Sequence, residues 1–167
     1  WKTKHDPGIG KQGPYYCGVG GDRSFGRDIV EKHLQSCLYA GVMIEGINGE
    51  VMPSQWEYQI GICKGVQVGD HLWIARYLLN RIAEQNNICV SLHPKPLTNW
   101  NGSGAHTNFS TKETRAEGGL TVILEAVEKL NKKEDEHIKV YGLDNDKRLT
   151  GKHETAAINK FTSGVSD

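Results

Sequence analysis

Two carboxylates stand out by their surroundings. Glu50 and Glu57 lie in the stretch 49–61, GEVMPSQWEYQIG, seven residues apart across Pro53. From Gln55 onward the pattern alternates strictly. Gln55, Glu57 and Gln59 fall on one face of a strand, and Trp56, Tyr58 and Ile60 on the other. Proline cannot donate a ladder bond, so the chain is expected to bend near Pro53 and bring Glu50 back beside Glu57. Carboxylates sharing a site repel unless one is protonated or a cation lies between them. Oxygen-only ligands favour hard ions such as magnesium or manganese.

A second polar row follows in the stretch 99–111, NWNGSGAHTNFST. Its glycine-rich half allows backbone to approach a ligand closely. In its second half His106, Asn108 and Ser110 alternate with Thr107, Phe109 and Thr111, which predicts a strand with imidazole, amide and hydroxyl on one face. A lone histidine is more often a surface or satisfied core residue; the polar row and the glycines favour a ligand role here.

These groups need elements to carry them. Residues 1–21 read as a leading loop, and GVGG at 18–21 lacks the Lys-Ser/Thr of a phosphate loop. The spacing predicts a helix over 22–42, with Ile29, Val30, Leu34, Cys37 and Leu38 on its apolar face, Arg27 opposite, and Gly41 as terminator. Residues 42–48 and the carboxylate stretch predict a strand pair turning at Asn48-Gly49, a strong hairpin dipeptide. Asp70 is placed as the cap of a helix reaching Glu84, with Leu72, Ala75, Leu79, Ile82 and Ala83 inward. Residues 88–92 read as a short buried strand closed by HPKP at 93–96. The helix over 119–133 carries a core stripe of Leu120, Ile123, Leu124, Val127 and Leu130, followed by a solvated charge cluster at 132–137. The tail from Tyr141 reads as a loop able to close over a ligand. Together these predict an α+β fold: a curved, mainly antiparallel sheet with a polar concave face, and helices packed on the outer face.

Composition narrows the function. The 167 residues hold 20 basic and 20 acidic side chains, so bulk charge argues neither for nucleic acid nor for an anionic membrane as partner. The longest apolar run, CLYAGVMI, is far below a membrane span. Four cysteines without a C-x-x-C favour reduced thiols in a cytoplasmic protein. The chain begins Trp1-Lys2-Thr3, as expected of a processed start or a piece of something longer.

Longer strings are more specific. GPYYCGVGGDRSFGRDIVEKHLQSCLYAGV, GEVMPSQWEYQIG, GDHLWIARY, PKPLTNWNGSGAHTNFSTK and GLDNDKRLTGKHETAAINKFTSGV all resemble eukaryotic glutamine synthetase, over about residues 12–166. The resemblance implies ATP-dependent ligation of ammonia to glutamate through a γ-glutamyl phosphate, with Mg2+ or Mn2+ as cofactor. It implies Glu50, Glu57 and His106 as metal ligands. It places Glu57, Ile62, Asn108, Phe109 and Ser110 at ATP, and Trp100, Asn101, Gly102 and Arg148 at glutamate. Arg148 also counts as catalytic, together with Glu154, the flap residue that shields the acyl phosphate and helps deprotonate ammonium.

By the same resemblance, 22–167 is a partial catalytic domain, without the small N-terminal β-grasp domain and the C-terminal part. The partners implied are glutamate, ammonia, ATP and further copies of the chain, assembled as a decamer of two pentameric rings. The sequence departs from the family's usual pattern at Ile62, at Lys64 and in a shortened link between Tyr141 and Gly142. A non-catalytic relative or inactive fragment, and a ligase using an amine in place of ammonia, stay open as alternatives.

Overall fold

The computed structural model describes residues 13–151, 153, 157, 158 and 160–165. The chain divides into two compact units, residues 1–92 and 93–167. The first holds α1 (Arg27–Tyr39), β1 (Ile44–Gly49), β2 (Trp56–Ile60) and α2 (Gln67–Gln85). The second holds α3 (Gly119–Asn131), α4 (Glu134–Val140) and α5 (Asn145–Arg148). The class is α+β, as expected. The sheet among the described residues is one antiparallel pair, β1 with β2, and no helix there is long and apolar enough to cross a membrane.

The alternation in β2 is realised: Trp56, Tyr58 and Ile60 are half-buried while Glu57 and Gln59 are exposed. The turn is elsewhere than predicted. Asn48 pairs with Glu57 and Gly49 with Trp56, so both stay inside the ladder. The connection runs over 50–55 instead, closed by the Glu50 N–H on the Gln55 carbonyl at 2.8 Å, with Ser54 at φ 62. Pro53 cannot serve in a ladder, and the turn settles around it.

The core of this unit is Cys37, Val42, Ile44 and Ala75, with Leu34, Ile47, Tyr58, Ile60 and Leu78 packed around them. It joins α1 and α2 to one face of the strand pair. Helix α1 is shorter than predicted, starting behind Gly26 at φ 76. Its end is as expected. Gly41 takes φ 75, its N–H bonds the Leu38 carbonyl, and the Val42 N–H bonds the Cys37 carbonyl at 2.9 Å. This paired arrangement uses carbonyls the helix would otherwise leave orphaned.

The inward face of α1 is Val30, His33 and Cys37, whereas Leu38 is exposed. His33 turns inward because the Ala75 carbonyl of α2 takes its Nε2–H at 2.9 Å. Helix α2 starts at Gln67 without a side-chain cap, so Asp70 sits in the first turn, where its charge favours the helix dipole. Ala75, Ile82 and Ala83 face inward as predicted.

Two predicted strands do not form. Residues 88–92 and 99–111 carry no ladder. A strand needs a neighbour for its backbone groups, and alternation cannot supply one. In the second unit, 93–103 folds back on itself instead: the Ser103 N–H bonds the Pro94 carbonyl at 2.7 Å and the Trp100 N–H bonds the Leu97 carbonyl at 3.2 Å. Trp100 and Leu149 are buried there.

Helix α3 forms, but its stripe is not core. Leu120 is 58% exposed, Leu124 60%, and Ile123 and Leu130 are also exposed. Periodicity selects the face to be buried; it does not provide the surface that buries it. The charge cluster is solvated as expected, with Glu128–Lys132 at 2.6 Å and Lys133–Glu136 at 3.0 Å. The tail carries more structure than a loop: α5, then a bridge of Thr150 with Ala157.

Candidate functional site

In the first unit the register decides where the carboxylates go. Glu57 lies opposite Asn48, and just beyond the last ladder pair the Glu50 N–H bonds the Gln55 carbonyl. Glu50 and Glu57 are therefore diagonal neighbours on one face, as the bend at Pro53 predicted. Gln59, on the same face, donates through Nε2 to Asn48 Oδ1 at 3.4 Å and Glu57 Oε1 at 3.5 Å. The Tyr16 phenol reports both carboxylates. Its pKa is raised by the neighbouring Cys17 first, then by Glu50, with Glu57 the smallest contributor.

The donor set is all oxygen, which suits a hard divalent ion. Two carboxylates are part of such a site only. No group of three or more His, Cys, Asp or Glu among the described residues is arranged to hold a metal. Glu50 also takes the Val51 N–H at 3.2 Å and lines a small cleft with Tyr15, Arg23, Gln55 and Trp56.

The face behind the carboxylates is held by a contact that sequence reading misses. Trp56 Nε1–H donates to the Phe25 carbonyl at 2.8 Å, and the Arg27 guanidinium lies 5.0 Å from the Trp56 ring centroid. Arg27 in turn donates to Ser24 Oγ at 3.1 Å and the Gly18 carbonyl at 3.0 Å. Helical spacing places Arg27 on the solvent side of α1; in the fold it clamps the loop before the helix against β2. The only sequence signal is an arginine at the helix start following a glycine-rich loop. Ile62 follows β2 and is 86% exposed.

In the second unit Trp100 and Asn101 are buried, and Asn101 Nδ2 donates to the Gly102 carbonyl at 3.0 Å. Arg148 lies along this segment. A Cβ on Gly102 would meet Arg148 Cγ at 2.7 Å, and one on Gly104 would meet Nη1 at 3.6 Å. The fold thus brings Arg148 to the Trp100-Asn101-Gly102 segment, more than forty positions earlier in the chain. Glycine at 102 leaves the arginine stem room to pass.

The other predicted row is not assembled. His106, Asn108 and Ser110 are exposed on irregular backbone and share no strand face, and Phe109 between them is exposed as well. Ser110 Oγ accepts from Arg115 at 2.7 Å, and Thr111 and Thr114 bond each other in a turn that leads to α3. Glu154 lies outside the described residues.

His93 and Asp144 are the residues sequence reading passed over. His93 Nε2 faces Asp144 Oδ2 at 3.5 Å, and Lys147 Nζ sits 2.7 Å from Asp144 Oδ1. The Lys147 hydrogen bond is the main reason the Asp144 carboxyl lies below its ordinary range. Nothing in HPKP or GLDNDKRLTG taken separately signals that they meet.

The glutamine synthetase catalytic domain family matches residues 13–119. The chain is 62% identical to the glutamine synthetase of Hebeloma cylindrosporum over 159 residues, covering 95% of this chain and 45% of that protein. It is 62% identical to the Schizosaccharomyces pombe enzyme, over 95% of this chain and 44% of that one. With the Gallus gallus enzyme it shares 58% identity, over 100% of this chain and 46% of that protein. The chain spans just under half the length of the curated relatives it matches. With its matched residues holding the carboxylate strand and the Asn101-Gly102 segment, this chain belongs to the glutamine synthetase catalytic domain family.

Proposed function

We propose that the protein to which this chain belongs is an ATP-dependent glutamate–ammonia ligase, and that residues 22–167 are part of its catalytic domain. A γ-carboxylate oxygen of glutamate attacks the terminal phosphorus of ATP and releases ADP. Ammonia then attacks the acyl carbon of the γ-glutamyl phosphate, and inorganic phosphate leaves. Such chemistry asks the protein for positioning and charge neutralisation more than for covalent participation.

The observation that supports this most is the pair Glu50 and Glu57 on one sheet face, in a chain of this family. Glu50 and Glu57 would hold one divalent ion, Mg2+ or Mn2+, and His106 would serve a second ion at the nucleotide; such ions would offset phosphate charge during transfer. Arg148, lying against Gly102 and Gly104 in the segment that follows buried Trp100 and Asn101, is suited to the glutamate α-carboxylate, because a guanidinium binds a carboxylate in two parallel hydrogen bonds. Glu57, Ile62, Asn108, Phe109 and Ser110 are assigned to ATP. Glu154 is assigned to shielding the acyl phosphate and taking the ammonium proton. The assembly proposed is a decamer of two pentameric rings in the cytoplasm, with neither nucleic acid nor membrane as partner.

The test uses the full-length protein. Glu57→Ala and His106→Ala are expected to abolish metal-dependent glutamine formation while leaving circular dichroism and oligomer size unchanged. Full activity in either variant refutes that residue's role. Offering ammonia and simple amines in parallel decides the acceptor.

A further inference from the structure

His93 has no place in the ligase reading above, yet it sits where two parts of the proposed glutamate pocket join. Its Nδ1 accepts the Lys95 N–H at 3.0 Å, so in the neutral ring the proton is on Nε2. That nitrogen faces Asp144 Oδ2 at 3.5 Å. The His93 carbonyl also receives Ser103 Oγ–H at 3.3 Å, from the residue following Gly102. Asp144 stands at the start of α5 with φ 63, and its side chain makes no cap bond to the helix. Its carboxylate is committed to His93 and Lys147 instead. Four residues on, Arg148 lies against Gly102. The imidazole is thus tied to the glycine-rich segment on one side and to the helix bearing Arg148 on the other.

We propose that His93 and Asp144 form a latch that holds Arg148 in register with the Asn101-Gly102 backbone, making both of them positioning residues for a substrate α-carboxylate. The proposal rests on the assignment of Arg148 to that carboxylate. The latch touches no substrate. It sets how often the guanidinium is in place when substrate arrives, so it governs substrate affinity and leaves the chemical step alone.

The two ring nitrogens allow a clean test in the full-length protein. Asparagine at 93 can keep the acceptor for Lys95 but is too short to reach Asp144; glutamine reaches Asp144 with an N–H donor. Both latch side chains are more than a third exposed, so the expected effect is modest. His93→Asn and Asp144→Asn are each expected to raise the KM for glutamate about two- to fivefold. The KM for ATP and kcat stay unchanged, and His93→Gln stays near the parent. Arg148→Gln is measured alongside and is expected to raise the glutamate KM more than any of them. If Arg148→Gln does so while His93→Asn and Asp144→Asn leave it unchanged, the latch is refuted and the Arg148 assignment stands. A rise of equal size for ATP and glutamate, or in His93→Gln as in His93→Asn, also refutes the latch. If Arg148→Gln leaves the glutamate KM unchanged, the Arg148 assignment itself is overturned.

Discussion

Gly102→Ala is the substitution whose effect the geometry specifies most closely. The new Cβ would lie 2.7 Å from Arg148 Cγ and 3.3 Å from the Pro94 carbonyl oxygen. Ordinary carbon–carbon contact begins near 3.5 Å, so the arginine stem must retreat by roughly 0.8 Å. The Pro94 oxygen also accepts the Ser103 N–H at 2.7 Å, so it yields less readily than the side chain. A guanidinium moved that far loses part of a charge-assisted pair worth about 1.5–3 kcal/mol. A loss of about 1–2 kcal/mol corresponds to a rise of roughly five- to thirtyfold in the KM for glutamate. The assay is steady-state glutamine formation by the full-length protein, with the KM for ATP as internal control. Gly104→Ala is the companion, because its Cβ would sit 3.6 Å from Arg148 Nη1, an ordinary contact. Equal effects of the two substitutions on the glutamate KM, or none from Gly102→Ala, refute the proposed placement of Arg148 at the substrate.

Three further outcomes follow from the first unit. Trp56→Phe removes the N–H that satisfies the Phe25 carbonyl and weakens the Arg27 contact; a destabilisation of about 1–2 kcal/mol is expected in urea unfolding, and none would show that water replaces the bond freely. Gly41→Ala puts a Cβ on a residue at φ 75 with nothing within 4 Å, so only backbone strain is added; a cost of about 1 kcal/mol is expected, and an unchanged melting temperature contradicts it. Burial lowers the His33 pKa, an effect its bond to Ala75 partly opposes. The unfolded chain therefore takes up the proton first as pH falls. Stability from His33 is full above about pH 6.5, the value of an unfolded histidine, and is lost as pH drops through the lower folded value. Chemical unfolding of the parent and of His33→Leu between pH 8 and 5 checks this; a parallel pH dependence in the two refutes it.

Local chemistry was legible wherever it was self-contained. The alternation through Trp56–Ile60 sets which side chains are wet. Gly41 as a terminator needs only five neighbouring residues. The inward face of α2 follows from its period. The failures share one cause. Asn48-Gly49 is a good turn in isolation, but the ladder extends past it because Trp56, Tyr58 and Ile60 need partners at Gly49, Ile47 and Ile44. The strand predicted for the second half of 99–111 has the right alternation and, among the described residues, no neighbour to bond. The α3 stripe has the right period, yet Leu120, Ile123, Leu124 and Leu130 stay exposed among the described residues. His33 looks like a polar interruption until the Ala75 carbonyl arrives from another helix.

The sequence by itself determined the family and the carboxylate-and-amide face of β2, and it nominated the residues proposed for metal, nucleotide and glutamate, because these depend on residue type and short-range order. Only the tertiary structure decided that Glu50 and Glu57 share a face through the 50–55 turn, that Arg148 runs along Gly102, and that His93 meets Asp144. Each of these is a contact between segments that the chain must first fold to bring together. The free energy of such a contact depends on the partner's position, which no local window of sequence contains.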